Sequence, residues 1–457
     1  MNAIPRIVIG ATGSGAGKTT VTIAILGAMR ARGLKVAAFK CGPDYLDPTY
    51  HAKAAGTLSH NLDGWMMGHD AVLSTFNRVA RDADIAVIEG VMGLFDGATP
   101  IANEGSTAEI AEWLAAPVLL TIDASGMART VAAIAHGFRY FDPNLNLAGV
   151  ICNRIGSRGH LDLLKAASSA VPVLGGFPDD AAIRFPERHL GLFSAIGNAI
   201  PQDHFNAWAK RASEWLDLDA ILAIARSAPT LPNTTISAEP GARSCCVGIP
   251  YDEAFHFYYD DNLRRLEANG AELVKFSPVH DSSLPPADGL YFGGGYPEVM
   301  AAQLSSNHAM LEAVRSFAAR RGPIYAECGG LMYLTHAIRT LDGKSWPMAG
   351  LLPTQAVMND RLQALGYAEV ATAAPSILGP AGVKFRGHQY RYSTLDPDPS
   401  GVERVYRVQP RRGGAQAAEG YRIGNVIASY VHAHWASNPS IPAALVNSCA
   451  EWRHARG

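Results

Sequence analysis

One feature constrains this chain more than any other. An apolar run opens at once into a glycine-rich loop and then a helix-forming segment: Ile7-Val8-Ile9-Gly10-Ala11-Thr12-Gly13-Ser14-Gly15-Ala16-Gly17-Lys18-Thr19-Thr20. Backbone N–H groups of such a loop, together with the N-terminus of the following helix, form an anion site. Gly13, Gly15 and Gly17 keep the loop permissive although Thr12 stands where the strict pattern has glycine. Lys18 is placed to reach the terminal phosphates of a nucleotide, and the Thr19 hydroxyl to hold Mg²⁺. A strand that feeds a phosphate loop implies a parallel α/β sheet, with the ligand at the carboxyl ends of the strands.

The rest of the first half agrees with that fold. Apolar runs at Arg6–Gly10, Lys35–Lys40, Ile85–Glu89, Val118–Asp123, Gly149–Asn153 and Val171–Gly175 alternate with helical stretches such as Thr19–Arg32 and Thr107–Ala115. This alternation predicts a mostly parallel sheet covered on both faces. Two acidic places stand at expected strand ends. Gly42-Pro43-Asp44-Tyr45-Leu46-Asp47-Pro48 follows the second strand, and Glu89 closes the third with Asp96 in the loop beyond. Carboxylates at that edge can bind the Mg²⁺ of a nucleotide, which makes Asp44 and Glu89 candidate ligands beside Thr19.

At 457 residues the chain is too long for one ordinary core. Residues 227–243 are rich in Pro, Ser, Thr and Asn and read as a linker between an ATP-binding domain, 1–226, and a second α/β domain, 244–457. The second domain is expected to have strands at Cys246–Pro250, Ala271–Phe276, Gly289–Phe292, Pro323–Ala326 and Val426–Tyr430, a helix at Tyr258–Asn269 and an exposed loop at Arg411–Glu419. Balanced charge, 39 Lys and Arg against 41 Asp and Glu, argues against a nucleic-acid partner. The absence of a long apolar run argues against a membrane span. The immediate entry into the phosphate loop argues against a signal peptide. The six cysteines show no metal-type CxxC pairing and suit the reducing cytoplasm.

The second reactive place is Pro323-Ile324-Tyr325-Ala326-Glu327-Cys328-Gly329-Gly330-Leu331, a strand running into a tight turn. A cysteine on such a turn lies near backbone donors that can form an oxyanion hole. Gly293-Gly294-Gly295-Tyr296-Pro297-Glu298 follows another strand and can supply a second donor, so Gly294 and Gly329 are the candidate oxyanion groups. Ser429-Tyr430-Val431-His432-Ala433-His434 brings the base, with His432 the candidate and the role of His434 open.

Gly293–Glu298, Ala326–Leu331 and Tyr430–His432 make the second half resemble class I glutamine amidotransferase domains. It departs from most of them in having His434 where they carry Glu. The first half resembles dethiobiotin synthetase-like ATP-binding domains. Ser14–Thr20, Gly42–Pro48, Glu89–Gly97 and Pro186–Leu192 make the whole chain resemble the cobyrinate (hydrogenobyrinate) a,c-diamide synthases. That resemblance implies ATP, Mg²⁺, glutamine and a corrinoid as reactants, with Cys328 releasing ammonia from glutamine and an acyl phosphate receiving it. It further implies that Gly13, Gly15, Gly17, Lys18, Thr19, Thr20, Lys40 and Asn153 bind the nucleotide, and that Leu46, Asp47 and Asp96 lie near the substrate. Arg154, Arg158, Arg184, Arg188 and His189 are candidates for the substrate's carboxylates. Cobalt-containing and metal-free corrins, and a homo-oligomer, stay open. The rival readings are amidation of another tetrapyrrole and a P-loop ATPase switch, and the second of these leaves the Cys328 half unexplained.

Overall fold

The computed structural model describes residues 3–168, 170–180, 200–232 and 241–456. The chain divides into two compact units, Met1–Ile236 and Ser237–Gly457. Among the described residues no helix is long and apolar enough to cross a membrane.

The first unit is built on seven strands: β1 (Arg6–Ala11), β2 (Val36–Cys41), β3 (Ser59–Leu62), β4 (Ile85–Glu89), β5 (Val118–Asp123), β6 (Leu147–Ile155) and β7 (Val173–Pro178). They stand in the order β3-β2-β4-β1-β5-β6-β7. Every pairing is parallel. Each residue of β1, β2 and β4 is buried, as a parallel sheet covered on both faces demands. Helix α1 (Lys18–Ala31) follows β1, and α2 (Asp47–Ala55) follows β2. The chain moves from β1 outward to β2 and β3, returns through β4, and continues on the other side with β5. The crevice of such a sheet opens at the carboxyl end of β1.

β3 escapes a reading based on apolar runs because Ser59-His60-Asn61-Leu62 is mostly polar and forms a sheet edge, with alternating burial. β7 begins at Val173, not Val171, and runs on to Pro178.

In the second unit a ten-stranded sheet has two characters. Ala271–Phe276, Cys245–Pro250, Gly289–Phe292, Ile324–Glu327 and Val426–Ser429 lie side by side and parallel. The sheet then continues antiparallel through Ala417–Ile423, Glu403–Pro410, Ala364–Thr372, Lys384–Arg391 and His432–His434. Four further strands, among them Leu352–Met358 and Ser393–Asp396, make a smaller sheet. Helix α3 (Gly329–Leu334) leaves Ile324–Glu327 and is buried throughout.

The antiparallel strands are what sequence reading missed. Lys384-Phe385-Arg386-Gly387-His388-Gln389-Tyr390-Arg391 carries charged and amide side chains among its buried positions, so it shows no apolar run. The expected exposed loop Arg411–Glu419 ends early. The strand Ala417–Ile423 begins inside it, and Glu419 is buried with both oxygens in use.

Candidate active sites

The loop between β1 and α1 needs glycine for a physical reason. Gly17 has φ +98, and a Cβ there would lie 2.0 Å from Asn153 Nδ2. That amide donates to Ala16 O at 3.0 Å, so Asn153 at the end of β6 braces the loop from the far side. Arg154, in the left-handed region at φ 57, ion-pairs with Asp123 and donates to Gly15 O. A cavity of about 540 Å³ opens here, walled among others by Gly15, Gly17, Lys18, Thr19, Thr20, Lys40, Asp44, Asp47, Glu89, Asn153 and Arg154.

Charge is concentrated at one end of that cavity. β2 pairs with β4 so that Lys40 stands beside Glu89. Lys40 Nζ donates to Glu89 Oε1 at 2.9 Å and to Gly90 O at 3.0 Å, and lies 2.7 Å from Asp47 Oδ2. Thr19 Oγ1 donates to the same Glu89 oxygen at 2.7 Å. His51 Nε2 from α2 lies 2.5 Å from the other oxygen. Burial alone would neutralise Lys40, but Asp47 and Glu89 outweigh it and hold the amine above its ordinary value. Burial likewise opposes the Glu89 charge, and Lys40 with His51 overcomes it, so Glu89 sits below the ordinary carboxylate range. Lys18 donates to Gly13 O and Met92 O. Burial, reinforced by Lys40, lowers it to about 8.

The remaining candidates of this half have other places. Asp44 Oδ1 accepts the N–H groups of Leu46 and Asp47, shaping the turn into α2. Leu46 is buried. Asp96 Oδ2 accepts Gly93 N–H within its loop. Gly13, Leu46 and Asp96 are not on the cavity wall, whereas Asp44 and Asp47 are. Arg158 donates to Glu214 O and lies over the Trp215 ring. Arg184, Arg188, His189 and the Pro186–Leu192 stretch lie outside the described residues.

In the second unit Cys328 sits at φ 47, ψ −99, between its strand and α3. A non-glycine residue there is strained, and the strain projects the side chain out of the turn. The turn is tied down on both sides: Cys328 N–H donates to Ser429 O at 2.7 Å, and Met332 N–H to Cys328 O at 3.0 Å. The Gly293–Gly295 loop closes over it. Gly330 N–H donates to Gly293 O at 3.1 Å, and a Cβ on Gly329 would lie 3.0 Å from Gly295 N. On the other side of that loop a Cβ on Gly294 would lie 2.4 Å from His432 Cε1. The triple glycine thus packs against Gly329, next to Cys328, and against His432.

The site carries little charge. Burial, with Glu298 acting the same way, pushes the Cys328 thiol up to about 12, while Arg391 and the Gly329 N–H pull the other way. Burial lowers His432 to about 3. At neutral pH the pair is a thiol and an uncharged imidazole. His434 is different: its Nδ1 accepts Ala436 N–H and caps the short turn Trp435–Ser437.

Two residues without an assigned role hold the site. Glu327 is fully buried. Its Oε1 accepts Tyr325 OH at 2.8 Å and Ala433 N–H at 3.0 Å, and its Oε2 accepts Tyr291 OH at 3.0 Å. It thereby fixes the backbone beside His432. His388 stacks on His432 from the neighbouring strand. The signal for Glu327 was in view, a carboxylate at the end of an apolar strand, but it reads equally as a surface charge. His388 carried no signal, because its strand was not recognised.

Known proteins extend this picture. Residues 7–193 match the family described as a CobQ/CobB/MinD/ParA nucleotide binding domain, and residues 246–440 match a CobB/CobQ-like glutamine amidotransferase domain. A cobyrinate a,c-diamide synthase of Leptospira interrogans is 52% identical over 98% of this chain and 98% of its own length. That of Syntrophotalea carbinolica is 48% identical over 97% and 98%, and that of Dehalococcoides mccartyi 43% identical over 96% of each. Identity at this level along both units means that the chain belongs to the family of cobyrinate a,c-diamide synthases, amidating ligases with a nucleotide-binding domain and a glutamine amidotransferase domain.

Proposed function

We propose that this chain converts the a and c acetate carboxylates of cobyrinic or hydrogenobyrinic acid to amides, with ATP and glutamine as co-substrates. The observation that carries the reading is that a glycine-loop cavity and a strained cysteine turn, packed on the same Gly293–Gly295 loop as His432, occur in one chain. The names of its relatives supply the substrate.

At the second unit, Cys328 attacks the amide carbon of glutamine while its proton passes to His432. The imidazole then gives that proton to the leaving ammonia, and water hydrolyses the thioester. Because both groups are neutral at rest, attack and proton transfer go together. The N–H groups of Gly294 and Gly329 hold the oxyanion.

At the first unit, the loop Gly13–Gly17 and Lys18 cradle the ATP phosphates, Thr20 lines the same wall, and Asn153 faces the base. Lys40 offsets charge as the γ-phosphoryl passes to an acetate carboxylate, and ammonia displaces phosphate from the acyl phosphate. The Thr19 hydroxyl and the Glu89 carboxylate form an oxygen pair at the phosphate end, which suits Mg²⁺. Among the described residues no group of three His, Cys, Asp or Glu could hold a metal unaided. An ion that keeps water and phosphate ligands needs only one or two protein oxygens. The chemistry Mg²⁺ supplies when bound is neutralisation of the phosphate oxygens. Asp44 borders this place and is the third candidate ligand. Asp47, at the start of α2 on the cavity wall, is assigned to the acceptor side, with Leu46 and Asp96 in the turns behind it.

The test is mass spectrometry after incubation with ATP, Mg²⁺, glutamine and either acid. Two carboxyl-to-amide conversions support the reading, and the preferred ring separates cobalt-containing from metal-free substrate. Glutaminase and ATPase activity without amidation of either acid would overturn the substrate assignment.

A further inference from the structure

His432 is met by an aromatic platform. The antiparallel pairing of Lys384–Arg391 with His432–His434 sets His388 directly opposite His432. The two rings stack with centroids 4.9 Å apart and planes 16° from parallel. His388 Nδ1 lies 3.1 Å from the Tyr259 hydroxyl, and the Tyr259 ring lies 4.6 Å from that of His434. All four rings are buried.

We propose that His388, anchored by Tyr259, is the positioning residue for the base: its ring face sets the plane of the His432 imidazole and steadies the imidazolium formed when His432 takes the Cys328 proton. This rests on the reading of Cys328 and His432 as the glutaminase pair. The physics favours a neutral platform over an anion. A carboxylate at this place would raise the imidazole pKa and stabilise the imidazolium at all times, before the thiol attacks as well as after. A stacked ring attracts the cation through its π face only while the cation exists. Burial, with His432 and His434 acting in the same direction, keeps His388 far below the ordinary histidine value, so the platform itself stays uncharged. Stacking also resists rotation of the base, and misplacement of a reacting group by about 1 Å costs on the order of a hundredfold in rate.

Two double variants isolate the ring face. Tyr259→Phe with His388→Phe and Tyr259→Phe with His388→Leu both lack the hydroxyl–imidazole pair and fill similar volumes, but only the first keeps a flat π surface. Glutaminase kcat and the KM for glutamine are measured on the full chain, with near-ultraviolet circular dichroism as the folding control. The phenylalanine variant should keep kcat within about threefold of Tyr259→Phe alone. The leucine variant should lose roughly ten- to a hundredfold in kcat with KM nearly unchanged. Equal kcat in the two would overturn the inference, since a purely structural role would move both alike. His432→Ala, run in parallel, tests the underlying reading: glutaminase activity surviving in it would remove the base itself, and this inference with it.

Discussion

The two sites solve opposite electrostatic problems. The cavity at the glycine-rich loop is lined by buried ions: Lys40, Asp47 and Glu89 are no more than 4% exposed at their side chains, and Lys40 lies within 3 Å of both carboxylates. The cysteine site holds a thiol and three imidazoles that burial keeps neutral. Phosphoryl transfer moves charge between oxygens, so a site for it must carry fixed charge in advance. Attack on an uncharged amide creates charge only in passing. A site for that can stay dry and neutral, with backbone N–H groups and a ring face waiting for the oxyanion and the imidazolium. The cost also differs. Buried ions are stable only as a complete set, whereas neutral groups can be removed singly with less damage to the fold.

The sharpest way to break this contrast is Cys328→Ala. Glutamine-dependent amidation should fall by about 10³-fold or more, while amidation from added ammonium continues at the wild-type rate. Loss of both would mean that the two chemistries are not separable. Next in size is Lys40→Met, which leaves Asp47 and Glu89 buried without their cation. It should destabilise the first unit by about 3–5 kcal/mol, seen as faster hydrogen exchange across β2 and β4. Unchanged exchange would show that the cluster does not behave as a set.

A smaller effect concerns Glu327, which burial raises to about 7. Since the folded value lies above the unfolded one, its contribution is full below about pH 4.5 and is lost as pH rises through about 7. The slope is at most about 1.4 kcal/mol per pH unit. Exchange at the amide of Ala433, corrected for its intrinsic pH dependence, should report this loss between pH 5 and 7, and Glu327→Gln should flatten it. The smallest test is iodoacetamide labelling of Cys328. A thiol held near 12 should label faster by about tenfold per pH unit from 7 to 10. A plateau near neutrality would mean a thiolate at rest.

What could be read from the sequence follows from how local each signal is. The phosphate loop was legible because Gly15, Gly17, Lys18 and Thr19 act within one turn of chain. Glu89 and Cys328 were legible because each closes an apolar strand. The ion cluster was not, because Lys40 meets Glu89 only through the sheet order that sets β2 beside β4. Asp44 read as a metal ligand, and its Oδ1 proves to be engaged by the turn into α2. His388 and Glu419 were hidden in antiparallel strands whose polar residues erase the apolar pattern. The platform under His432 is thus a product of tertiary pairing alone.

The most direct test of the account follows one nitrogen atom from one site to the other. The protein is incubated with ATP, Mg²⁺, corrinoid acid and glutamine labelled with ¹⁵N at the amide, in the presence of unlabelled ammonium, and the product is analysed by mass spectrometry. The account predicts a diamide enriched in ¹⁵N at its new amides, and in Cys328→Ala the same diamide carrying none. A wild-type product labelled no more than that of the cysteine variant would contradict it.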